Sequence, residues 1–297
     1  MKNIVSCIIA LMLCTSCGVF RTKLPQTMGE QNASYTYVPL DPLPVSSQPG
    51  NSCAVGQSFK DTLASLPDNA VRIAVGKYDS TGKLSFGPAQ IGVNGNDYQV
   101  VLDYINADVT TIPFVMSRPN GRSIYDLSDK YMGFVDFEDR IIARRVSDTQ
   151  SSLLGSSETI VPIPVYVGVG LRLTASISVL NGTVNLSSLG GIATEAQAGN
   201  VSGSLVVQTL GITGKQVATT LPLPSELNAT TVQNAILSLG SIKAIMYGND
   251  AIVSARVTGI YNPISGYGAD LINAIVSELA KEPIPWRRPC ELKKGLT

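Results

Sequence analysis

Residues 165–186 read VYVGVGLRLTASISVLNGTVNL, and the period of that stretch decides the fold. Apolar residues take every second position: Val165, Val167, Val169, Leu171, Leu173, Ala175, Ile177 and Val179. Tyr166, Gly168, Gly170, Arg172, Thr174, Ser176 and Ser178 alternate with them. A period of two puts the first set on one face of a β-strand and the second on the other. Asn181-Gly182 supplies the residue types that accept the positive φ angles of a tight hairpin turn, and Val184 and Leu186 resume the alternation. The first strand therefore runs from 165 to 179, far beyond the usual ~5–6 residues. Two uses fit such a strand. One is the arm of a large soluble sheet. The other is a membrane hairpin, whose crossing strands need only ~9–11 residues, with lipid outside and small polar side chains towards the lumen.

Outward from that stretch, the N-terminus reads as a sorting signal over residues 1–16. Lys2 gives a positive start, and Ile4 to Leu13 form an apolar run too short to span a membrane as a helix. Cys14-Thr15-Ser16-Cys17-Gly18 follows. Small residues before a cysteine resemble a bacterial lipoprotein signal, cleaved before Cys17, whose thiol then carries diacylglycerol. Cys14 departs from the commoner Leu, and an ordinary secretory signal is the alternative. No Asp follows Cys17, which fits onward transport to the outer membrane. Residues 17–57, with Pro25, Pro39, Pro42, Pro44 and Pro49, read as a lipidated, extended tether. Their YVPLDPLPV segment has the alternative of lying along the folded surface.

Residues 58–297 can form one large domain or two small ones. With 22 basic and 22 acidic residues and no basic patch, nucleic acid is not an expected partner. Mean hydropathy is +0.19 with 15% charged residues, apolar for a periplasmic protein. No long uncharged apolar run follows the signal, so alternating barrel strands or burial in an oligomer would account for the excess. Cys7 and Cys14 leave with the signal and Cys17 is lipidated. Cys53 and Cys290 remain in an oxidising compartment, where they form either a disulfide joining the ends of the body or two free buried thiols.

Spacing predicts a short helix opening at Ser58 to Asp61 and stopping near Leu66-Pro67, then a strand over Val71–Tyr78. Gln99–Ile105 fits helix or strand, whereas Ser123–Tyr131 and Phe134–Val146 read as helices. Ser204–Ile212 is a strand with Lys215–Leu221 as its partner. Asn228–Met246 has helical spacing at Val232, Ile236, Leu239 and Ile242, and Ala251–Tyr261 alternates. Gly268–Lys281 is an amphipathic helix, with Leu271, Ile272, Ile275, Val276 and Leu279 on one stripe. Mixed strands and helices without repeats predict an α+β or α/β fold.

The chain has no histidine, which removes Ser-His-Asp and Cys-His catalysis and histidine metal sites. No phosphate-binding loop or dinucleotide fingerprint is present, and Gly168-Val169-Gly170 sits inside a strand. Asp126, Asp129, Asp136 and Glu138 read as acidic residues on exposed helix faces rather than an acid–base pair. Neither enzymatic activity nor a cofactor is expected.

The order of elements nevertheless resembles one family. SFKDTLASLPDNAVRIAVGKYDSTGKLSFGP, from Ser58, looks like the opening of CsgG-type curli secretion channels. IPFVMSR followed by FEDRIIARR resembles that family's strand leading into a helix. VYVGVGLRLTASI stands where its first membrane hairpin begins, and SLVVQTLGITGKQVATTL resembles the return. The resemblance runs from about Ser58 to Trp286 in order and short motifs, not in long identity.

That resemblance implies a periplasmic mixed sheet with helices, and long hairpins at about 165–212 and 215–263 that build an oligomeric transmembrane β-barrel. In the second segment Pro222 and Pro224, and helical spacing from Val232 to Ile245, run against a hairpin. The resemblance also implies a pore constriction at Gly87 to Tyr98, where the family is aromatic-rich and this chain offers Asn94, Asn96, Asp97 and Tyr98. Such a ring would be polar and cation-favouring; an Asn-Gly turn with no role is the alternative. The expected function is a homo-oligomeric CsgG-like pore or secretion-channel subunit in the cell outer membrane. It would be lipid-anchored, with its body in the periplasm and a secreted protein or accessory envelope proteins as partners. The alternative is a non-spanning periplasmic lipoprotein that binds or scaffolds part of an envelope assembly. The face from Val165 to Val179 separates the two: a channel gives it to lipid, a scaffold buries it under Leu271, Ile275 and Leu279.

Overall fold

The structure, a computed structural model, describes residues 36–50, 57, 58, 60, 63, 66, 68–78, 80, 82, 84–87, 91–94, 96–117, 142–145, 158–262 and 269–290. The strands are β1 (Thr36–Leu43), β2 (Val45–Pro49), β3 (Asp68–Tyr78), β4 (Leu84–Gly87), β5 (Ile91–Asn94), β6 (Asp97–Ser117) and β7 (Ile142–Arg145). They continue with β8 (Thr159–Val179), β9 (Thr183–Asn185), β10 (Val201–Leu210), β11 (Ile212–Thr213), β12 (Ser225–Glu226), β13 (Ile252–Val253), β14 (Arg256–Asn262) and β15 (Ile284–Arg288). Helices α1 (Leu189–Gln197), α2 (Lys215–Thr220), α3 (Ala229–Tyr247) and α4 (Ala269–Leu279) complete the order. The fold is α+β, a large antiparallel sheet with helices.

Its spine is the β6–β8 pair, antiparallel in unbroken register from Asp97↔Ser178 to Met116↔Thr159. Each spine strand is long enough to take two partners along its outer edge. On β8, β14 takes Val165 to Gly168 and β10 takes Gly170 to Val179. On β6, β3 takes Tyr98 to Ala107 and β7 takes Phe114 to Ser117. β1 then adds to β14, β4 to β3 and β12 to β10. The sheet curls strongly, because β1 stands three strands from β6 in the order and still reaches it with a side chain.

Direct cross-strand partners share a face, so the register sorts the spine into two surfaces. Val165, Val167, Val169, Leu171, Leu173, Ala175 and Ile177 fall on one, with Val100, Leu102 and Phe114 of β6. That surface is the main core: it packs with Val232, Ala235, Leu239 and Ile242 of α3 and Ile275 and Leu279 of α4. The opposite surface carries Tyr166, Gly168, Gly170 and Arg172 and is covered by Tyr37 and Tyr261. From Val165 to Leu173 every residue of β8 is buried.

Several expectations change on this frame. Gly182 has φ 68°, as the turn required, but β9 beyond it pairs with β5. The next strand in the chain to pair with β8 is β10, after α1, whose Ser188 N-cap accepts from the Gly191 amide. The second candidate hairpin, 215–263, holds α2 and α3, with β12, β13 and β14 around them. Helical spacing prevails there, and Asn228 and Thr231 close a reciprocal capping box at the start of α3. Ile142–Arg145, expected to be helical, is β7 on the edge of β6. Gln99–Ile105, where the sequence leaves helix and strand both open, is strand, within β6. Thr36–Pro49, expected to be tether, forms β1 and β2 within the compact unit Ala33–Thr297.

Candidate functional site

The most ordered polar chemistry lies between the curled edge strand and the spine. Asp103 stands directly across the ladders from Arg72 on one side and Arg172 on the other. Arg172 donates Nε to Asp103 Oδ1 and Nη2 to Asp103 Oδ2, both at 2.6 Å. Its remaining reach ends on main chain: Nη1 donates to the Leu40 carbonyl at 2.6 Å and Nη2 to the Thr258 carbonyl at 2.7 Å. Tyr37 Oη donates to Asp103 Oδ2. One guanidinium thus ties β8 to β6, β1 and β14.

The network is dry. Asp103 is 0% and Arg172 4% exposed. Tyr37, Tyr166 and Tyr261 pack edge-to-face around it, and the Arg72 guanidinium lies 4.2 Å from the Tyr166 ring centroid. Burial first, and then the charge of Asp103, hold the Tyr37 phenol well above its ordinary pKa. Burial alone would lower the Arg172 value, but the hydrogen bonds and charge of Asp103 outweigh it and the net is a rise. Both groups keep their protons, and neither is poised to move one. The arrangement clamps strands.

The residues expected to line a constriction lie where the spine begins, at the Asp97↔Ser178 end. Asn94 ends β5 opposite Thr183, and the Asn96 carbonyl accepts the Val179 amide. Asn96 and Asp97 are exposed. Asp97 Oδ1 accepts a 2.6 Å bond from Ser178 Oγ. Tyr98 departs from the expectation: it is 5% exposed and belongs to the main core with Ile177, its cross-strand partner. Asn96 and Asp97 therefore stand at the surface where β6 begins, and Tyr98 turns into the core. Beside them Glu195 accepts from Asn200 Nδ2 and the Asn185 amide, bonds that lower its pKa in that order of importance.

Cys290 is disulfide-bonded. Cys53 and Cys17 lie outside the described residues, as do Asp126, Asp129, Asp136 and Glu138. The parallel β2–β15 pair ends at Pro49↔Arg288, and the Gly50 amide donates to the Arg288 carbonyl, two residues before Cys290. Among the described residues no group of three or more carboxylate, histidine or cysteine side chains gathers for a metal. No described helix is long and apolar enough to cross a membrane.

Reading the sequence missed the clamp. Arg172 looks like a solvent-facing charge in an alternating strand, and Asp103 is one of three acidic residues in β6, so nothing in the sequence pairs the two. No family model matches the chain, and no curated protein or solved structure does either.

Proposed function

We propose that this chain is a lipid-anchored, non-catalytic binding or scaffolding module of the bacterial envelope, tethered through Cys17 to the outer membrane with its body beside the bilayer in the periplasm. One observation carries the reading. The face that a channel would give to lipid is already buried inside a single copy: Val165, Val167 and Val169 are 0% exposed. Leu171, Leu173, Ala175 and Ile177 are no more than 2% exposed, in the same core as Ile275 and Leu279. Burying each Val, Leu or Ile side chain in such a core contributes about 1.5–3 kcal/mol. A homo-oligomeric CsgG-like pore would have to strip the helices from that face, and it would also have to uncover the clamped surface behind it. The second membrane hairpin such a pore needs is replaced by α3.

The buried, hydrogen-bonded clamp also favours a module without catalysis, since no proton or nucleophile there is exposed. Recognition of accessory envelope proteins then falls to the outer surface. Size-exclusion with light scattering in detergent, followed by planar-bilayer recording, tests the reading. A monomer or small assembly that stays electrically silent is expected. A large ring with stable single-channel steps would overturn it and restore the pore. Cys17→Ser is expected to move the protein from the membrane to the soluble fraction.

A further inference from the structure

The last turns of α3 cross the spine on its main-core surface, over Tyr104 and Asn106. Lys243 is the one charged residue of α3, and its Nζ donates to Tyr104 Oη at 2.5 Å while lying 4.8 Å from that ring's centroid. Among the described residues no carboxylate pairs with it. Asn106 is more than nine-tenths buried and donates Nδ2 to Tyr247 Oη at 3.4 Å, a long bond. Between these groups lies a cavity of about 10 Å³, room for one water-sized occupant. Leu171, Ile212 and Met246 form its apolar wall, and Tyr104, Asn106 and Lys243 its polar side.

The polar side is rich in donors. The ammonium keeps further N–H bonds after serving Tyr104. Tyr104, having accepted that bond, keeps its own O–H to give, and the Asn106 amide has a second N–H. A half-buried cation with no acidic partner favours negative charge beside it. The small volume favours a monatomic anion over a polyatomic one such as sulfate, and the apolar wall favours a weakly hydrated one.

We propose that this cavity binds a single small inorganic monoanion of the chloride class, held by Lys243, Tyr104 and Asn106. Bound there, the anion joins α3 to β6 where the helix crosses the spine.

The test uses the full chain and chloride itself. Chloride NMR line width should broaden with protein, and bromide should compete the broadening away where sulfate does not. Lys243→Met should abolish the effect and Tyr104→Phe should weaken it. Broadening equal in wild type and Lys243→Met, or none above buffer, overturns the proposal and leaves the cavity to a water molecule. Should Lys243→Met fail to fold, the wild-type thermal midpoint in sodium chloride against sodium gluconate at equal ionic strength gives the same answer. A saturable rise in chloride alone supports the site, and superimposable curves overturn it. None of these outcomes depends on whether the chain scaffolds or conducts.

Discussion

Arg172 and Asp103 face each other directly across the β8–β6 ladder, and the guanidinium grips both oxygens of the carboxylate at 2.6 Å. Removing one partner strands a buried charge. Arg172→Leu is expected to destabilise the protein by about 3–5 kcal/mol. The Arg172→Leu, Asp103→Leu double variant should recover a large part of that loss, because it removes the orphaned charge as well. Urea unfolding of the two variants checks the difference; equal losses would mean that the pair acts through packing alone.

Tyr37 gives the clamp an alkaline limit. Its folded pKa is raised, by burial first and Asp103 second, above the ~10 of a free phenol. A raised value means that the neutral phenol's contribution is fully present below pH ~10 and is lost as pH rises through the folded value. Tyr37→Phe should cost about 1.5–3 kcal/mol at neutral pH, the range for a hydrogen bond to a charged group. It should also flatten the alkaline limb of stability against pH. An unchanged limb would assign that limb to other groups.

Gly170 lies at a close approach of β8 to β6. A Cβ there would stand 2.2 Å from the Tyr104 carbonyl oxygen and 2.7 Å from Ile105 Cα. Both are main-chain atoms of the neighbouring strand, so no side-chain rotation relieves the clash. Gly170→Ala is expected to cost about 3 kcal/mol or more. Gly240→Ala, where nothing lies within 4 Å, should be neutral or stabilising. Thermal melts of the pair separate the two.

Thr258 offers a gain. It is fully buried, and its Oγ1 has no hydrogen-bond partner among the described residues. Thr258→Val keeps the shape and removes the unsatisfied hydroxyl, so it should stabilise by about 1 kcal/mol. A loss measured by chemical denaturation would show that the hydroxyl is satisfied.

How much of this could be read beforehand follows from which surfaces are buried. β8 was legible because its apolar positions alternate without a break from Val165 to Ile177. Its length twin β6 was not: Val100, Val101 and Leu102 run consecutively, since both surfaces are covered at that level. Prolines concealed β1, which tolerates Pro39 and Pro42 as an edge strand. In α3 the spacing was right and one member wrong, for Ile236 is exposed while Ala235 is buried. The Asn181-Gly182 turn was identified but not its continuation, because a turn fixes only local direction. The clamp was invisible for a related reason: it depends on cross-strand register, which a single strand does not encode.

Register has a further consequence, in time. Tyr37 of β1 pairs with Tyr261 of β14, so the first strand of the sheet waits for nearly the last. A chain made from its N-terminus carries β1 as an unpaired ribbon until residues 256–262 exist, and that closure spans most of the polypeptide. High contact order of this kind slows folding. The nascent protein therefore stays open and threadable until synthesis is almost complete, and the sheet closes over Arg172 only when the whole molecule is present.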